Sequence, residues 1–323
     1  MKAIVSDRYG PPDVLRLEEV QRPVPEADEV LIQVHAAGVN AADWHLLRAD
    51  PPLVRLMGFG LFKPKNEILG ADVAGRVDAV GGDVTQFEPG DEVYGDLSAC
   101  GHGAFAEYVC APEDALATKP STLTFEEAAA VPLAAVTALQ GLREGEIEEG
   151  RKVLITGASG GVGTFAVQIA KSFGADVTGV CSTGKVDLVR GLGADQVVDY
   201  TREDFAEGPQ QYDLILDAGG YRSILDSRRA LRPEGTYVFV GGSNARLFEA
   251  MLLGPVLSLI DGRTMGSLLA EPDRADLIAI GELVDAGEVT PAIDRRFPLE
   301  EVAEAIGYVE DGRARGKVVV TVA

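Results

Sequence analysis

A group of closely spaced glycines in the middle of the chain has the spacing of a phosphate-binding turn. The apolar segment Lys152–Thr156 leads into positions 157–163, with the sequence GASGGVG, and a helical pattern follows as far as Phe173. Glycines let the backbone approach a pyrophosphate and let the helix pack closely on the strand. The N–H groups and the positive end of the helix then bind the anion without a basic side chain. Strand, turn and helix in succession favour a dinucleotide site over a tight turn that binds no ligand.

The residues after the next apolar segment, Asp176–Cys181, indicate which dinucleotide this is. An enzyme that uses NAD usually presents Asp or Glu at the end of this strand to bind the ribose hydroxyls. Here Ser182 and Thr183 offer hydroxyl groups and Lys185 offers an ammonium group. These groups suit the 2′-phosphate of NADPH; the alternative for Lys185 is a solvated lysine at the start of a helix. We therefore predict NADPH as the cofactor.

The overall charge narrows the class of partner. The chain of 323 residues has 51 acidic residues against 29 Lys and Arg, which gives a formal charge of −22. A repulsive acidic surface argues against nucleic acid and anionic membranes as partners, and the simplest role of the acidity is solubility. No apolar run approaches the roughly 18 residues that span a membrane, and the first residues do not have the pattern of a signal peptide. We expect a cytoplasmic protein.

Two kinds of pattern succeed each other along the chain. The first 120 residues contain short alternating segments separated by Gly, Pro and Asp, which indicates a β-rich, barrel-like domain. From about Ser121 helical patterns begin, and apolar strands then alternate with helices, which indicates a parallel sheet covered on both faces. The predicted strands of this sheet are Lys152–Thr156, Asp176–Cys181, Gln196–Asp199, 213–217, 236–241 and 263–269. We expect the tail, which ends in a strand at 317–322, to rejoin the first domain.

Several motifs together resemble a known family. They are GADVAGRV at 70–77, FEPGDEVY at 87–94, GAFAEYV at 103–109 and the glycine turn. The combination resembles the medium-chain dehydrogenase/reductase superfamily, in particular its quinone oxidoreductase (zeta-crystallin-like) branch, over essentially the whole chain. The resemblance implies a GroES-like catalytic domain at 1–121, a Rossmann NADP-binding domain at 122–268 and a return to the catalytic domain at 269–323. It also implies a homodimer, joined through the last Rossmann strand near 263–269.

The resemblance further implies which residues bind the cofactor. Thr137 matches a threonine near the nicotinamide, and Tyr200 would lie with Ser182 and Lys185 around the ribose phosphate, unless it is a surface tyrosine at a strand end. Lys317 matches a basic residue that closes over the cofactor in some relatives. The complete expected set is Thr137, Ser159, Gly160, Gly161, Val162, Gly163, Ser182, Lys185, Tyr200, Gly241, Gly242 and Lys317.

The chain lacks the side chains that hold catalytic zinc in the alcohol dehydrogenases of the same superfamily. Zinc needs Cys thiolates, His nitrogens or carboxylates in a tetrahedral set. The three positions that match its ligands are Asn40, Ala71 and Leu133. The chain's other potential ligands in this domain, Cys100, His102 and Cys110, lack a fourth ligand, and three cysteines in all are too few for a structural cluster. We expect no metal.

Positions 40–45, with the sequence NAADWH, match the segment that faces the nicotinamide in the family. Several quinone oxidoreductases have a tyrosine where His45 stands, but histidine is a competent proton donor near neutral pH. His45 is therefore the first candidate acid, with a structural histidine as the alternative, and Asn40 could orient a substrate carbonyl. Asp43 better fits a helix N-cap. The apolar segment 53–62 either covers the pocket or forms a packed Ω-loop.

Loss of the metal favours some reactions over others. Without a Lewis acid, alcohol oxidation lacks a means of stabilising an alkoxide, whereas a quinone or an α,β-unsaturated carbonyl already delocalises the charge that a hydride brings. The leading hypothesis is NADPH-dependent, metal-free reduction of such a small-molecule acceptor. The alternatives are an NAD(P)-dependent alcohol dehydrogenase and an NADPH-binding interaction protein with low turnover.

Overall fold

Two large sheets organise the described residues, one in each of two compact units, and a small two-stranded sheet accompanies them. The structure is a computed structural model that describes residues 1–57, 59–207 and 212–322. The segments of the first unit are Met1–Ala134, Pro272–Ala286 and Pro291–Ala323. The segments of the second unit are Ala135–Glu271 and Gly287–Thr290. Among the described residues, no helix combines the length and the apolar composition needed to cross a bilayer.

The chain has a β-rich part and a part in which strands and helices alternate, as the sequence patterns predicted. The first part contains β1 (Lys2–Val5), β2 (Arg16–Glu19), β3 (Glu29–Val39), α1 (Ala41–Arg48), β4 (Asp72–Val80), β5 (Glu92–Asp96), β6 (Tyr108–Pro112), β7 (Leu116–Thr118), α2 (Phe125–Ala129) and α3 (Pro132–Glu144). The alternating part contains β8 (Lys152–Thr156), α4 (Gly161–Ser172), β9 (Asp176–Cys181), α5 (Val186–Gly191), β10 (Gln196–Asp199), β11 (Tyr212–Asp217), α6 (Ile224–Ala230), β12 (Leu231–Phe239), α7 (Asn244–Asp261) and β13 (Thr264–Ser267). The chain ends with α8 (Arg274–Asp285), β14 (Ile293–Pro298), α9 (Val302–Glu310) and β15 (Lys317–Thr321).

The first unit is built on a mixed sheet with the long strand β3 near its centre. The strand order is β14-β15-β3-β4-β5-β7, and β6 also pairs with β3. The strand β15 runs antiparallel to β3, with Val318 opposite Val39, so the last part of the chain completes the sheet begun by the first part. Alternate residues of β3 such as Val30, Ile32 and Val34 are fully buried and join one apolar core. β3 is buried along most of its length, and only Glu29, Gln33 and His35 are partly exposed, as expected for a strand near the centre of a sheet.

The second unit is a parallel sheet in the order β10-β9-β8-β11-β12-β13. Numbered within the unit, this order is 3-2-1-4-5-6, which is the doubly wound arrangement of dinucleotide-binding domains. Strands β8, β9 and β10 begin and end at the residues predicted from the sequence. The central strands are buried on both faces because helices cover the sheet, which is why they read as continuous apolar runs. The predicted fold class, a β-rich domain with a Rossmann domain, is confirmed.

The division between the units differs from the domain limits expected at 121/122 and 268/269. Contacts place the first division between Ala134 and Ala135. The physical reason is α2, which follows residue 121 in sequence but packs on β3 and β4 of the first sheet. The second division lies after Glu271, and α8 belongs to the first unit.

Candidate active site

The glycine turn closes so tightly that one of its positions excludes a side chain. β8 ends at Thr156, and α4 begins at Gly161 with Gly160 as its extended N-cap. Gly157 has a φ of 64°, in the left-handed region that favours glycine. A Cβ on Gly163 would lie 2.1 Å from the carbonyl oxygen of Gly157, so only glycine fits there. The first turn of α4 therefore packs against the end of β8, and its N–H groups, which lack partners within the helix, suit an anion.

Two further loops meet the glycine turn at the carboxyl ends of the strands. Gly157 lies close to Ala218 after β11, since a Cβ on Gly157 would be 2.9 Å from the carbonyl carbon of Ala218. Gly242, after β12, lies equally close to Gly220, because a Cβ on Gly242 would be 2.8 Å from the Cα of Gly220. Ligands of open parallel sheets bind at this edge, where the strand order reverses between β8 and β11. The structure thus brings the predicted residues 159–163, Gly241 and Gly242 to one edge of the sheet.

The carboxylate of Asp217, which no pattern in the sequence indicated, organises this edge. Asp217 is 1% exposed at the end of β11. Its Oδ1 accepts hydrogen bonds from the N–H groups of Gly219 (3.2 Å) and Gly220 (2.7 Å) and from the hydroxyl of Thr156. Its Oδ2 accepts from the hydroxyl of Tyr237 at 2.9 Å. Because these partners occupy the carboxylate, Asp217 holds the loop in shape rather than binding a ligand.

The groups predicted to bind the ribose phosphate follow β9. Ser182 is the N-cap of a short 3-10 helix that contains Lys185, so both lie at the same strand end. The hydroxyl of Thr183 instead donates to Asp199 at 2.6 Å and lies 2.9 Å from the hydroxyl of Thr201. The hydrogen bond from Thr183 holds the pKa of the Asp199 carboxyl below its usual value, so this group is ionised at neutral pH. Thr183 is therefore engaged within the protein, while Ser182 and Lys185 lie at the strand end where the phosphate contact is predicted.

A pair of tyrosines stands beside these groups. The rings of Tyr200 and Tyr221 have centroids 4.7 Å apart, and both side chains are partly exposed. Burial of part of the ring raises the pKa of Tyr221 to about 12, so it stays neutral. Tyr200 was predicted from the sequence and Tyr221 was not. The available signal for Tyr221 was an aromatic residue directly after the glycines of a strand-end loop. An exposed aromatic face of this kind suits stacking on a base.

Thr137 is buried in α3, in the part that belongs to the second unit.

In the first unit, Asn40 and Asp43 form the start of α1. The N-cap of α1 is Asn40, so the expectation that Asp43 is the N-cap is wrong. Asp43 is the third residue of the helix, and its Oδ2 accepts the backbone N–H of Asn40 at 2.7 Å. Asp43 is completely buried. Burial, together with the nearby carboxylate of Asp72, raises the pKa of Asp43 to about 7, although hydrogen bonds and the charge of Lys317 act in the opposite direction.

The side chain of Asn40 lies in a buried cluster with Asp72 and Lys317. The ammonium of Lys317 donates to Oδ1 of Asn40 at 2.6 Å and to Oδ2 of Asp72 at 3.1 Å, and Nδ2 of Asn40 donates to Oδ2 of Asp72 at 2.9 Å. Lys317 is 2% exposed and Asp72 is fully buried. The expectation from the resemblance was that Lys317 closes over the cofactor. In the first unit its ammonium is instead engaged by two buried side chains.

The candidate acid, His45, lies on α1 in a half-buried position. Its Nδ1 is 2.6 Å from the backbone carbonyl oxygen of Asp50, and its ring stacks on Trp44 with centroids 3.5 Å apart. A carbonyl oxygen only accepts, so the proton of the neutral ring lies on Nδ1 and Nε2 has a free lone pair. Burial lowers the pKa of His45. Neutral His45 is thus an acceptor at Nε2, and it becomes a donor there only when protonated.

The positions that match zinc ligands carry no ligating side chain in a suitable place. Ala71 is buried and apolar, and Leu133 contributes its backbone N–H, which donates to Oδ1 of Asp72 at 2.8 Å. The thiol of Cys100 is directed to the carbonyl oxygen of Leu97 at 3.5 Å. Within residues 1–57, 59–207 and 212–322, no group of three or more His, Cys, Asp or Glu side chains is arranged to hold a metal ion.

A small cavity in the first unit adjoins the apolar segment 53–62, of which residue 58 lies outside the described residues. Its lining includes Tyr9, Leu46, Phe59, Asn66 and His102. The hydroxyl of Tyr9 lies within hydrogen-bond distance of the carbonyl oxygen of Phe59, at 2.9 Å, which fixes one side of the cavity. Leu56, Leu61 and Phe62 are exposed rather than packed, which favours a covering segment over a packed Ω-loop.

Comparison with known families and structures supports the fold of both units. A family model described as "Alcohol dehydrogenase GroES-like domain" matches residues 26–121, and one described as "Zinc-binding dehydrogenase" matches residues 192–320. The second description names a metal, whereas the three matching positions in this chain have Asn40, Ala71 and Leu133.

Similar proteins match along the whole chain. The mitochondrial NAD(P)H oxidoreductase RTN4IP1 of Mus musculus is 36% identical, covering 100% of this chain and 89% of that protein. The chloroplastic NADPH-dependent alkenal/one oxidoreductase of Arabidopsis thaliana is 35% identical, covering 99% and 79% respectively. The solved structure of the quinone oxidoreductase from Coxiella burnetii is 33% identical, with a TM-score of 0.89, covering 100% of this chain and 99% of that one.

Proposed function

The chain belongs to the medium-chain dehydrogenase/reductase superfamily, in its zinc-free, quinone oxidoreductase-like branch, and on that premise we propose that it reduces quinones or α,β-unsaturated carbonyls with NADPH. It is an NADPH-dependent oxidoreductase. The observation that carries the proposal is the glycine turn, in which the contact between Gly163 and Gly157 leaves no room for a side chain. That arrangement brings the helix N-terminus to the carboxyl edge of the sheet, where a pyrophosphate would bind.

The residues of the second unit fit the cofactor. Residues 159–163 would hold the pyrophosphate through backbone N–H groups, so the acidic chain needs few cations for it. Ser182 and Lys185 would bind the 2′-phosphate, and Tyr200 with Tyr221 would flank the adenosine. Thr137 and the glycines 241 and 242 would border the nicotinamide half. When bound, NADPH supplies the hydride; the chain binds and orients it.

In the first unit, Asn40 and His45 are the groups we assign to the acceptor. Asn40 would donate a hydrogen bond to the acceptor's carbonyl oxygen, where negative charge develops during reduction. His45 would supply a proton in its protonated form, which its lowered pKa makes a minority species at neutral pH. The exposed apolar segment around Leu56, Leu61 and Phe62 would cover an acceptor with a large apolar surface.

The decisive experiment is a panel of quinones, enals and enones, with simple alcohols and NADP⁺ in the reverse direction, assayed with NADPH and NADH. We expect turnover with at least one conjugated acceptor, a preference for NADPH, and no alcohol oxidation. Stoichiometric zinc that is lost together with activity on chelation would support the alcohol dehydrogenase alternative. Micromolar NADPH binding without turnover of any acceptor would support the low-turnover binding protein.

We also propose a homodimer joined along β13 in the cytoplasm. Within the described residues, β13 pairs only with β12, so its other edge is open. Neighbouring apolar side chains are exposed, among them Leu252 (71%), Leu259 (87%) and Leu269 (80%), which is unusual for a monomer. Light scattering of a Leu259→Lys variant should show a monomer, whereas Val24→Lys, which changes another exposed apolar residue, should leave the dimer intact. The three free cysteines fit a reducing compartment.

A further inference from the structure

We propose that Lys317 and Asp72 are positioning residues that fix the side-chain amide of Asn40 so that one of its N–H groups faces the acceptor's carbonyl oxygen. These three residues are called the Asn40 brace below. The inference rests on the proposed function, since it explains how the acceptor is held in that reaction. Lys317 then serves the acceptor through Asn40, in place of the cofactor contact that the family resemblance implied.

The brace determines which way the amide is turned. Oδ1 of Asn40 lies 2.6 Å from the ammonium of Lys317, and Nδ2 lies 2.9 Å from Oδ2 of Asp72. Rotating the amide by half a turn would place its N–H groups against the ammonium and its oxygen against the carboxylate. Both contacts would be repulsive, and charge-assisted hydrogen bonds are stronger than neutral ones. The observed orientation is therefore strongly favoured over the flipped one.

The carboxylate of Asp72 is itself held in place. Its Oδ1 accepts the backbone N–H of Leu133, in the first turn of α3, at 2.8 Å. On the opposite strand, Gly38 faces Asp72, and a Cβ on Gly38 would lie only 2.7 Å from Oδ2. The space that Gly38 leaves open is thus filled by the carboxylate. Backbone groups of two other segments, α3 and β3, therefore constrain Asp72 independently of Asn40.

Removing two charges from water costs free energy, which argues that this cluster has a role beyond stability. Lys317 and Asp72 are almost completely removed from water, and a buried ion pair is often no more stabilising than apolar residues of the same volume. The cluster does provide a defined polar geometry. Nδ2 of Asn40 has two hydrogens, of which Asp72 takes one. The other is left to recognise an acceptor oxygen and to stabilise negative charge on it, as preorganised donors do.

A double-mutant cycle tests whether Lys317 acts through Asn40. Lys317→Met with Asp72→Asn removes both charges together and so avoids leaving one charge buried alone. In the wild-type background this pair of substitutions should lower kcat by about tenfold, since a charge-assisted hydrogen bond and a fixed geometry are lost. In an Asn40→Ala background the same pair should change kcat by less than about twofold. NADPH affinity, measured by fluorescence of the bound nucleotide, should stay within about twofold in all four proteins.

Lys119→Met is the matched control. Lys119 is also a buried lysine of the first unit, and its ammonium contacts the carbonyl oxygens of Pro120 and Leu123 and the carboxylate of Glu92. Its loss should lower the melting temperature and leave kcat and NADPH affinity unchanged. Equal losses of kcat from Lys119→Met and from the brace variant would overturn the proposal, because the effect would then be one of stability. A tenfold loss of NADPH affinity in the brace variant would also overturn it, in favour of a cofactor contact.

A measurement that does not depend on turnover separates this inference from the proposed function. In protein labelled with 15N at asparagine, the Asn40 side-chain hydrogen that is bonded to Asp72 should exchange slowly with solvent in the wild type, because it is buried and bonded. It should exchange much faster in the brace variant. Slow exchange with no turnover in the acceptor panel would leave the brace standing and reject the reaction. Fast exchange in the wild type would reject the brace whatever the protein reduces.

Discussion

Nδ1 of His45 lies 2.6 Å from the backbone carbonyl oxygen of Asp50, and this contact fixes the proton of the neutral imidazole on Nδ1. Nε2 gains a proton only when the ring becomes cationic, and burial lowers the pKa of His45 below its ordinary value of 6.5. If His45 donates the proton in the reaction, kcat should rise as the pH falls through this lowered pKa.

The His45→Phe variant should lack this rise and should lose at least about tenfold in kcat at pH 6, with unchanged NADPH affinity. Steady-state kinetics from pH 5 to 8 on both proteins provide the measurement. Both proteins must be compared because Asp43, whose pKa is raised to about 7, also titrates between pH 5 and pH 8. The same pH profile in both proteins would exclude His45 as the donor and leave it a structural residue of α1.

Gly163→Ala should disrupt the cofactor site. The added Cβ would lie 2.1 Å from the carbonyl oxygen of Gly157, so α4 must move away from the end of β8. Overpacking of this kind typically costs about 1–3 kcal/mol, and we expect NADPH affinity to fall by at least about tenfold. Gly307→Ala in α9 is the control, since nothing lies within 4 Å of the added atom; it should stabilise α9 slightly and bind NADPH normally. Wild-type affinity in Gly163→Ala would contradict the placement of the pyrophosphate.

Lys185→Ala should lower the affinity for NADPH but not the affinity for NADH. Removal of the ammonium should lower the affinity for NADPH by about tenfold or more, because a charge-assisted hydrogen bond to the 2′-phosphate is lost. NADH affinity should change by less than about twofold, since NADH has no 2′-phosphate. Lys152→Ala, an exposed lysine at the opposite end of β8, should affect neither cofactor. Equal weakening of both cofactors by Lys185→Ala would leave the preference for NADPH without a structural cause.

Asp43 should make the folded state more stable at mildly acidic pH. Its pKa in the folded protein is raised to about 7, mainly by burial, whereas the unfolded chain has the ordinary value near 4. The stabilisation from this carboxyl is therefore complete below about pH 4 and is lost as the pH rises through about 7. Relative to Asp43→Asn, the wild type should gain about 1–2 kcal/mol in free energy of unfolding between pH 7.5 and pH 5.5.

Denaturant titrations at the two pH values measure this difference. Asp187→Asn, which changes a fully exposed side chain, should show no such dependence. If the difference between wild type and Asp43→Asn is the same at both pH values, Asp43 is ionised throughout and the charge of Lys317 outweighs its burial.

The sequence was most informative where local pattern and buried structure coincide. Strands β8, β9 and β10 could be placed to the residue because their apolar runs are bounded by glycine, aspartate and charged side chains. The limit of the first domain was harder to place, because α2 has the composition of the helical region but packs on the first sheet. Such packing is decided by tertiary contacts that no local pattern records.

For the site, the cofactor turn could be predicted and the Asn40 brace could not. A glycine turn is local, so its strand, loop and helix stand side by side in the sequence. Asn40 and Lys317 are 277 positions apart, and only the pairing of β15 with β3 brings them together. One signal was available in hindsight. Lys317 stands at the start of an apolar strand and Asp72 at the start of another, and a buried charge requires a partner.

The Lys317 ammonium also restricts how this protein could be converted into a metalloenzyme. Asn40→Cys, Ala71→His and Leu133→Cys would supply the two thiolates and one imidazole of a zinc dehydrogenase. A thiolate at position 40 would, however, replace the amide that now lies 2.6 Å from the ammonium, and the two would form an ion pair. Zinc would have to compete with the Lys317 ammonium for this thiolate. Conversion therefore requires a fourth substitution at Lys317, which leaves Asp72 as an additional anion for the metal to neutralise.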